Sequence, residues 1–164
     1  MGRSGHPRLD RIVYEQTAPG VVAALRALGK AVEDSGLDPS LVEILKIRAS
    51  QVNGCAFCLQ FHLNRVRKLG VAPAKIDLAA TWREAGIFSR REAAALAWTE
   101  ALTLMAGGPI PERAYADLES EFSAKEIAFL TAAIGLINAW NRIAGGLRFT
   151  PPIPAGRFPM EGRG

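Results

Sequence analysis

Four residues of this 164-residue chain have types and spacing suited to thiol chemistry: Glu43, Cys55, Cys58 and His62, within EILKIRASQVNGCAFCLQFH. Asn53-Gly54 breaks the preceding helical pattern and puts Cys55 and Cys58 in the first turn of a new helix. At about 100° per residue, Cys58 lies about 60° around the axis from Cys55, and His62 falls between them. The three side chains share one narrow face, with Cys58 and His62 one turn apart. A thiolate is the nucleophile in cysteine chemistry, and helix N-terminal amides, the macrodipole and a nearby imidazole each lower a thiol's pKa. A second thiol one turn away can condense with a sulfenic acid to give a disulfide. Glu43 precedes Cys55 by twelve residues. Antiparallel packing of the two helices would fold it over the site as a proton acceptor or as an orienter of His62.

Two plainer readings of these residues stay open. Buried free cysteines often serve as small hydrophobes. Cys55, Cys58 and His62 could also ligate zinc from one helix, but a structural zinc site wants four ligands. The only other histidine is His6, and no second CxxC or HxxxH exists to complete a set, so no metal is expected.

The elements that must position these residues are helices throughout. Pro19 opens a segment with Val21, Val22, Leu25, Leu28 and Val32 at helical spacing, ended by Gly36. Asp38-Pro39 supplies an N-cap and a first-turn proline for the helix that carries Glu43. The cysteine helix stops near Gly70, and Pro73 starts the next, through Trp82 to Gly86. Ser89/Glu92 and Ser123/Glu126 have capping-box spacing. They launch one helix to about Met105 and a long apolar one to about Ala144, closed by Gly145-Gly146; Pro111 begins a short helix between them. No period-2 alternation competes, so the expected fold is all-α, a single-domain helical bundle. The expected boundaries are an N-terminal tail over 1–17, a helical domain over 18–147, and a Pro/Gly-rich tail over 148–164 that wraps a surface or lies extended.

Composition limits the function classes. Hydrophobic residues make up 49% of the chain, enough for one substantial core. The net charge is +4, and much of the excess lies near the ends, in Arg3, Arg8, Arg11, Arg148, Arg157 and Arg163. There is no basic stripe with interleaved aromatics, so no nucleic-acid partner is expected. The longest apolar stretch, 127–139, is short for a bilayer and is followed at once by Asn141 and Arg142, so no membrane partner is expected. MGRSGHPRLD lacks the apolar run of a secretory signal, and a cytoplasmic location is the default. No Gly-rich phosphate loop or haem or flavin signal occurs, so no cofactor is expected. Trp82, Trp98 and Trp140 read as core or subunit contacts, and Asn138, Asn141 and Arg142 as the cap of a buried helix or a subunit interface.

The spacing from Glu43 through eleven residues to Cys55, two to Cys58 and three to His62 resembles the core motif of the AhpD-like alkylhydroperoxidases, in the carboxymuconolactone decarboxylase superfamily. The segments Trp82–Glu84, Phe88-Ser89, Leu96–Thr103 and Ile137–Arg142 are similar to that family's later helices, so the resemblance spans roughly residues 20 to 147. It implies an all-α subunit in a homo-oligomer, a trimer or hexamer. It further implies a hydroperoxide substrate, Cys58 as the peroxidatic nucleophile and Cys55 as the resolving thiol. Glu43 and His62 would form the proton relay, and an external dithiol, from a lipoyl domain or a thioredoxin-like protein, would restore the thiols. Phe57 stands where the peroxidase that names the family has a histidine, which makes the pocket more apolar. Two rival functions use the same chain: a non-catalytic redox sensor or scaffold oligomer, and a cysteine-independent enzyme acting on a lactone or hydroxy acid.

Overall fold

In the computed structural model, residues 6–155 are described, and among them there are helices and no strands. The order is α1 (Arg11–Thr17), α2 (Pro19–Glu33), α3 (Pro39–Val52), α4 (Ala56–Lys68), α5 (Pro73–Asp77), α6 (Trp82–Ala85), α7 (Arg90–Thr103), α8 (Glu112–Glu121) and α9 (Ala124–Leu147). Short 3₁₀ turns at Ala79–Thr81 and Met105–Gly107 complete it. The N-terminal signals act where the sequence places them. The Asp38 side chain accepts from the Ser40 amide at 2.9 Å, and both Ser89/Glu92 and Ser123/Glu126 form reciprocal capping boxes.

Helix α3 is the hub, packing on α4, α7 and α9. Its residues Ile44, Leu45 and Ile47 are closed off from solvent with Leu96 of α7 and Leu130 and Ile134 of α9. A smaller cluster joins Ala49, Cys55 and Cys58 to Ile137, Ala144 and Phe149. Helix α9 is, by length and composition, apolar enough to cross a membrane, but here Ile127, Leu130, Ile134 and Ile137 are buried against other helices.

The structure refines the sequence reading at three places. Residues 73–86 are not one helix but α5, a 3₁₀ turn and α6. The buried positions Ile76, Ala79 and Trp82 repeat every three residues, a spacing that a 3₁₀ turn superposes on one face and an α-helix rotates away. Gly145-Gly146 does not close α9. The helix runs on to Leu147 and is capped by Arg148 in the left-handed region at φ 57°, with Arg148 N bonding Gly145 O and Phe149 N bonding Ala144 O. Finally, the segments expected as tails take part in the fold. Helix α1 lies within 1–17, and the amides of Arg8 and Leu9 bond Leu147 O. Phe149 is buried, and Asn64 Nδ2 donates to Pro152 O at 2.9 Å. Residues 1–5 and 156–164 of those segments lie outside the described residues.

The turn between α3 and α4 sets the site. Gly54 sits at φ 63°, and a Cβ there would meet nothing, so replacing it costs backbone strain alone. Gly54→Ala is expected to destabilise the fold by about 1–2 kcal/mol. A lower denaturant midpoint at unchanged m-value would report it.

Candidate active site

The tight turn makes α3 and α4 an antiparallel hairpin, and residues equally far from it meet. Glu43 lies ten residues before Asn53 and His62 nine after it. Their side chains bond at 2.6 Å between Glu43 Oε2 and His62 Nδ1. Glu43 is 2% exposed, and its other oxygen takes Lys46 Nζ at 3.2 Å and Arg65 Nε at 3.3 Å. Burial, the largest single influence, raises its carboxyl, but the His62 hydrogen bond and the charges around it together hold the pKa at about 2. Burial dominates at His62 and lowers its pKa against the pull of Glu43, so the ring is neutral at physiological pH. An ionised carboxylate only accepts, so Nδ1 carries the hydrogen and Nε2 presents a lone pair.

Cys55 is the N-cap of α4, its amide bonded to Ser50 O at 3.0 Å, and Cys58 follows in the first turn. Both are buried free thiols. The Cys58 thiol donates to the Cys55 sulfur, which outweighs burial and, with the amides of Cys58 and Phe57 and the side chain of Asn141, lowers Cys55 from 9.0 to about 6. The same hydrogen bond, with burial and the charge on Cys55, pushes Cys58 up. The two sulfurs are therefore pushed in opposite directions, Cys55 toward the thiolate and Cys58 toward the protonated thiol. Thiolate absorbance of the reduced protein should rise through about pH 6, and Cys55→Ser should remove that step. Because the folded pKa of Cys55 is depressed, the ionised thiol contributes its full stability above pH 9. The contribution declines as pH falls from there and is gone below about pH 6.

A cavity of about 560 Å³ opens beside the pair. Of the two cysteines Cys58 is on its wall, together with His62, Phe57, Phe61, Trp140 and Phe149. Phe57 lies edge-on to Phe149 at 5.4 Å and stacks on Phe61 at 6.2 Å. Leu59, the third apolar neighbour in the motif, packs into the main core instead. Charged side chains from Arg11, Glu15, Arg26 and Lys30 border the cavity, so α1 and α2 complete a site whose chemistry lies on α3 and α4. Glu43 itself borders a second cavity of about 370 Å³ with Lys46 and Arg65.

The structure brings Glu43 and His62 into contact and sets Cys55 beside Cys58, while the side chains that shift the Cys58 thiol are Cys55 and Asn141, and not His62. Among the described residues no three His, Cys, Asp or Glu side chains are grouped so as to hold a metal ion. Sequence reading missed two members of the site. Trp140 lines the cavity, and Asn141, only 4% exposed within one subunit, bonds Ser50 and Asn53 and lies against both cysteines. The available signal was a polar side chain set among apolar ones on a long helix.

The sequence pattern of the carboxymuconolactone decarboxylase family matches residues 19–101, the span holding all four motif residues. An uncharacterised protein of Bacillus subtilis (strain 168), YdfG, is 32% identical over 135 residues, which are 82% of this chain and 92% of that protein. The crystal structure of an Agrobacterium tumefaciens protein of unknown function, ascribed to antioxidant defence as AhpD, superposes with a TM-score of 0.85 at 38% identity, covering 91% of this chain and 100% of that one. The debrominase Bmp8 shares the fold alone, with a TM-score of 0.77 at 19% identity over 88% of this chain and 76% of that one. This all-α chain belongs to the carboxymuconolactone decarboxylase family, on its AhpD-like side.

Proposed function

We propose that the protein is a thiol-dependent hydroperoxide reductase that cycles Cys55 and Cys58 between dithiol and disulfide. The observation that carries this reading is a buried, free thiol pair beside a cavity into which an imidazole locked by a carboxylate also opens. Charge and access favour different sulfurs, since Cys55 holds the negative charge and Cys58 lines the cavity. Access decides which one attacks, because a buried thiolate cannot reach a peroxide on the far side of its neighbour. Cys55 then acts first as a base, drawing the proton from Cys58 along the hydrogen bond they already share.

The Cys58 sulfur attacks the distal oxygen of the hydroperoxide, the O–O bond breaks, and Cys58 becomes a sulfenic acid. The leaving alkoxide takes the proton held on Cys55 and departs as the alcohol. The Cys55 thiolate, free again, displaces hydroxide from the sulfenic sulfur and closes the disulfide. His62, held by Glu43, takes a proton from solvent on Nε2 and passes it to the hydroxide, which leaves as water. An external dithiol then reduces the disulfide and is itself oxidised to a disulfide.

The aromatic wall of Phe57, Phe61 and Trp140 suits an organic hydroperoxide better than hydrogen peroxide. The reductant is a small dithiol, lipoyl or thioredoxin-like, in a reducing compartment such as the cytoplasm. A homo-oligomer is supported by the exposed apolar side chains Ile12 and Val13 of α1 and Val21 and Leu28 of α2.

The test is turnover. Supplied with an organic hydroperoxide and excess dithiol, the protein should consume many equivalents of peroxide per subunit. A redox sensor would stop after one. An enzyme acting on a lactone or hydroxy acid would leave peroxide untouched and keep its own activity in Cys58→Ser.

A further inference from the structure

The side chain of Asn141 enters the site from α9, and the bonds around it fix which way its amide points. Asn53 Nδ2 donates to Asn141 Oδ1 at 2.8 Å and to Asn138 Oδ1 at 3.0 Å, which uses both hydrogens of one amide nitrogen. On the other side, Ser50 Oγ donates to Lys46 O at 2.7 Å, so its only hydrogen is spent and it must accept. What it accepts is Asn141 Nδ2, at 3.1 Å. The amide is therefore locked with its oxygen toward Asn53 and its nitrogen toward Ser50. Nδ2 has a second hydrogen. The neighbours of Asn141 one turn away on the same helix face, Ile137 and Ala144, pack in the cluster that contains Cys55 and Cys58. Asn141 thus sits on the face of α9 that packs with the two thiols, and its side chain favours the ionised form of either one.

We propose that Asn141 is a fixed hydrogen-bond donor that holds the negative charge on the reduced Cys55–Cys58 pair, with Ser50 and Asn53 as the residues that position it, and that it thereby sets how readily the disulfide is reduced. A thiolate accepts that N–H strongly, and a disulfide sulfur accepts it weakly. Taking up two electrons at the disulfide thus restores a buried hydrogen bond, which favours the dithiol. The inference rests on the dithiol–disulfide cycle proposed above, but it concerns the thiols themselves and not what oxidises them.

The experiment compares the wild type with Asn141→Asp, Asn141→Ser and Ser50→Ala. It reads the midpoint of thiolate absorbance against pH, and the dithiol–disulfide equilibrium against dithiothreitol. Asn141→Asp keeps the shape and replaces the donor with a charge that repels a thiolate. It should raise the midpoint by at least about one pH unit and shift the equilibrium about tenfold toward the disulfide, which is about 30 mV more negative. Asn141→Ser should move both in the same direction by less. Ser50→Ala, which releases the amide without removing it, should move them least. A wild-type midpoint and an equilibrium within twofold of wild type in both Asn141 variants would overturn the proposal. Neither measurement uses a hydroperoxide, and if the wild-type pair forms no disulfide at all, the cycle fails while the absorbance titration still decides the role of Asn141. If Asn141→Asp does not fold, Asn141→Ser and Ser50→Ala carry the decision.

Discussion

Cys58→Ser is expected to abolish peroxide consumption, with a loss in kcat/KM of about 10³-fold or more, because it removes the sulfur that lines the cavity and that, in the proposed cycle, forms the bond to oxygen. Cys55→Ser behaves differently. It leaves the attacking sulfur in place and removes the base and the resolving thiol, so the variant consumes one equivalent of peroxide, more slowly, and stops. The product is a sulfenic acid on Cys58, which a dimedone adduct located by peptide mass spectrometry will identify. The asymmetry is the informative part. An adduct on Cys55 in Cys58→Ser, with none on Cys58 in Cys55→Ser, would reverse the assignment and favour the sulfur that carries the charge.

Glu43→Gln is the second large effect. The carboxylate fixes the imidazole with hydrogen on Nδ1 and the lone pair on Nε2, and an amide can bond either ring tautomer. Its loss is expected to cost about 10²- to 10⁴-fold in kcat/KM, the usual span for a positioned acid–base group. His62→Asn should cost a similar amount, and the double variant little more than either single one, because the two residues act as one unit. Thiolate titration of Glu43→Gln should stay near that of the wild type, since neither thiol draws its shift from Glu43 or His62. A variant whose titration moved with its activity would place the relay in the ionisation of the pair rather than in product protonation. Stability supplies a separate sign. The depressed pKa of Glu43 stabilises the fold above about pH 4.5, and that contribution is lost as pH falls toward 2, so Glu43→Gln should flatten the acid limb of unfolding.

What the sequence revealed follows from the range over which its signals act. A glycine turn flanked by two helical stretches specifies a hairpin, and a hairpin pairs residues at matching distances from its turn. Cys55 and Cys58 in one turn could therefore be read from spacing, while Glu43 over His62 depended on an antiparallel packing that the structure supplies. The caps at Asp38, Ser89 and Ser123 are signals of three or four residues and were equally legible. Asn141 was not. Its partner Ser50 is 91 residues away, and nothing local distinguishes an asparagine that faces a thiol from one that caps a helix or meets another subunit. Trp140 and Arg11 reach the cavity only because α9 packs on α4 and α1 packs on α2 where they do, which is a property of packing. The end of α9 misled for a related reason. Two glycines usually announce a helix terminus, but here the Arg8 and Leu9 amides and the burial of Phe149 hold the chain helical for three residues more.

The most direct test of the central claim is a free-thiol count and intact mass of the reduced protein, before and after one equivalent of cumene hydroperoxide. Loss of both thiols with a mass decrease of two hydrogen atoms per subunit, absent in Cys58→Ser, is the expected result. Two thiols still free after excess hydroperoxide would contradict it.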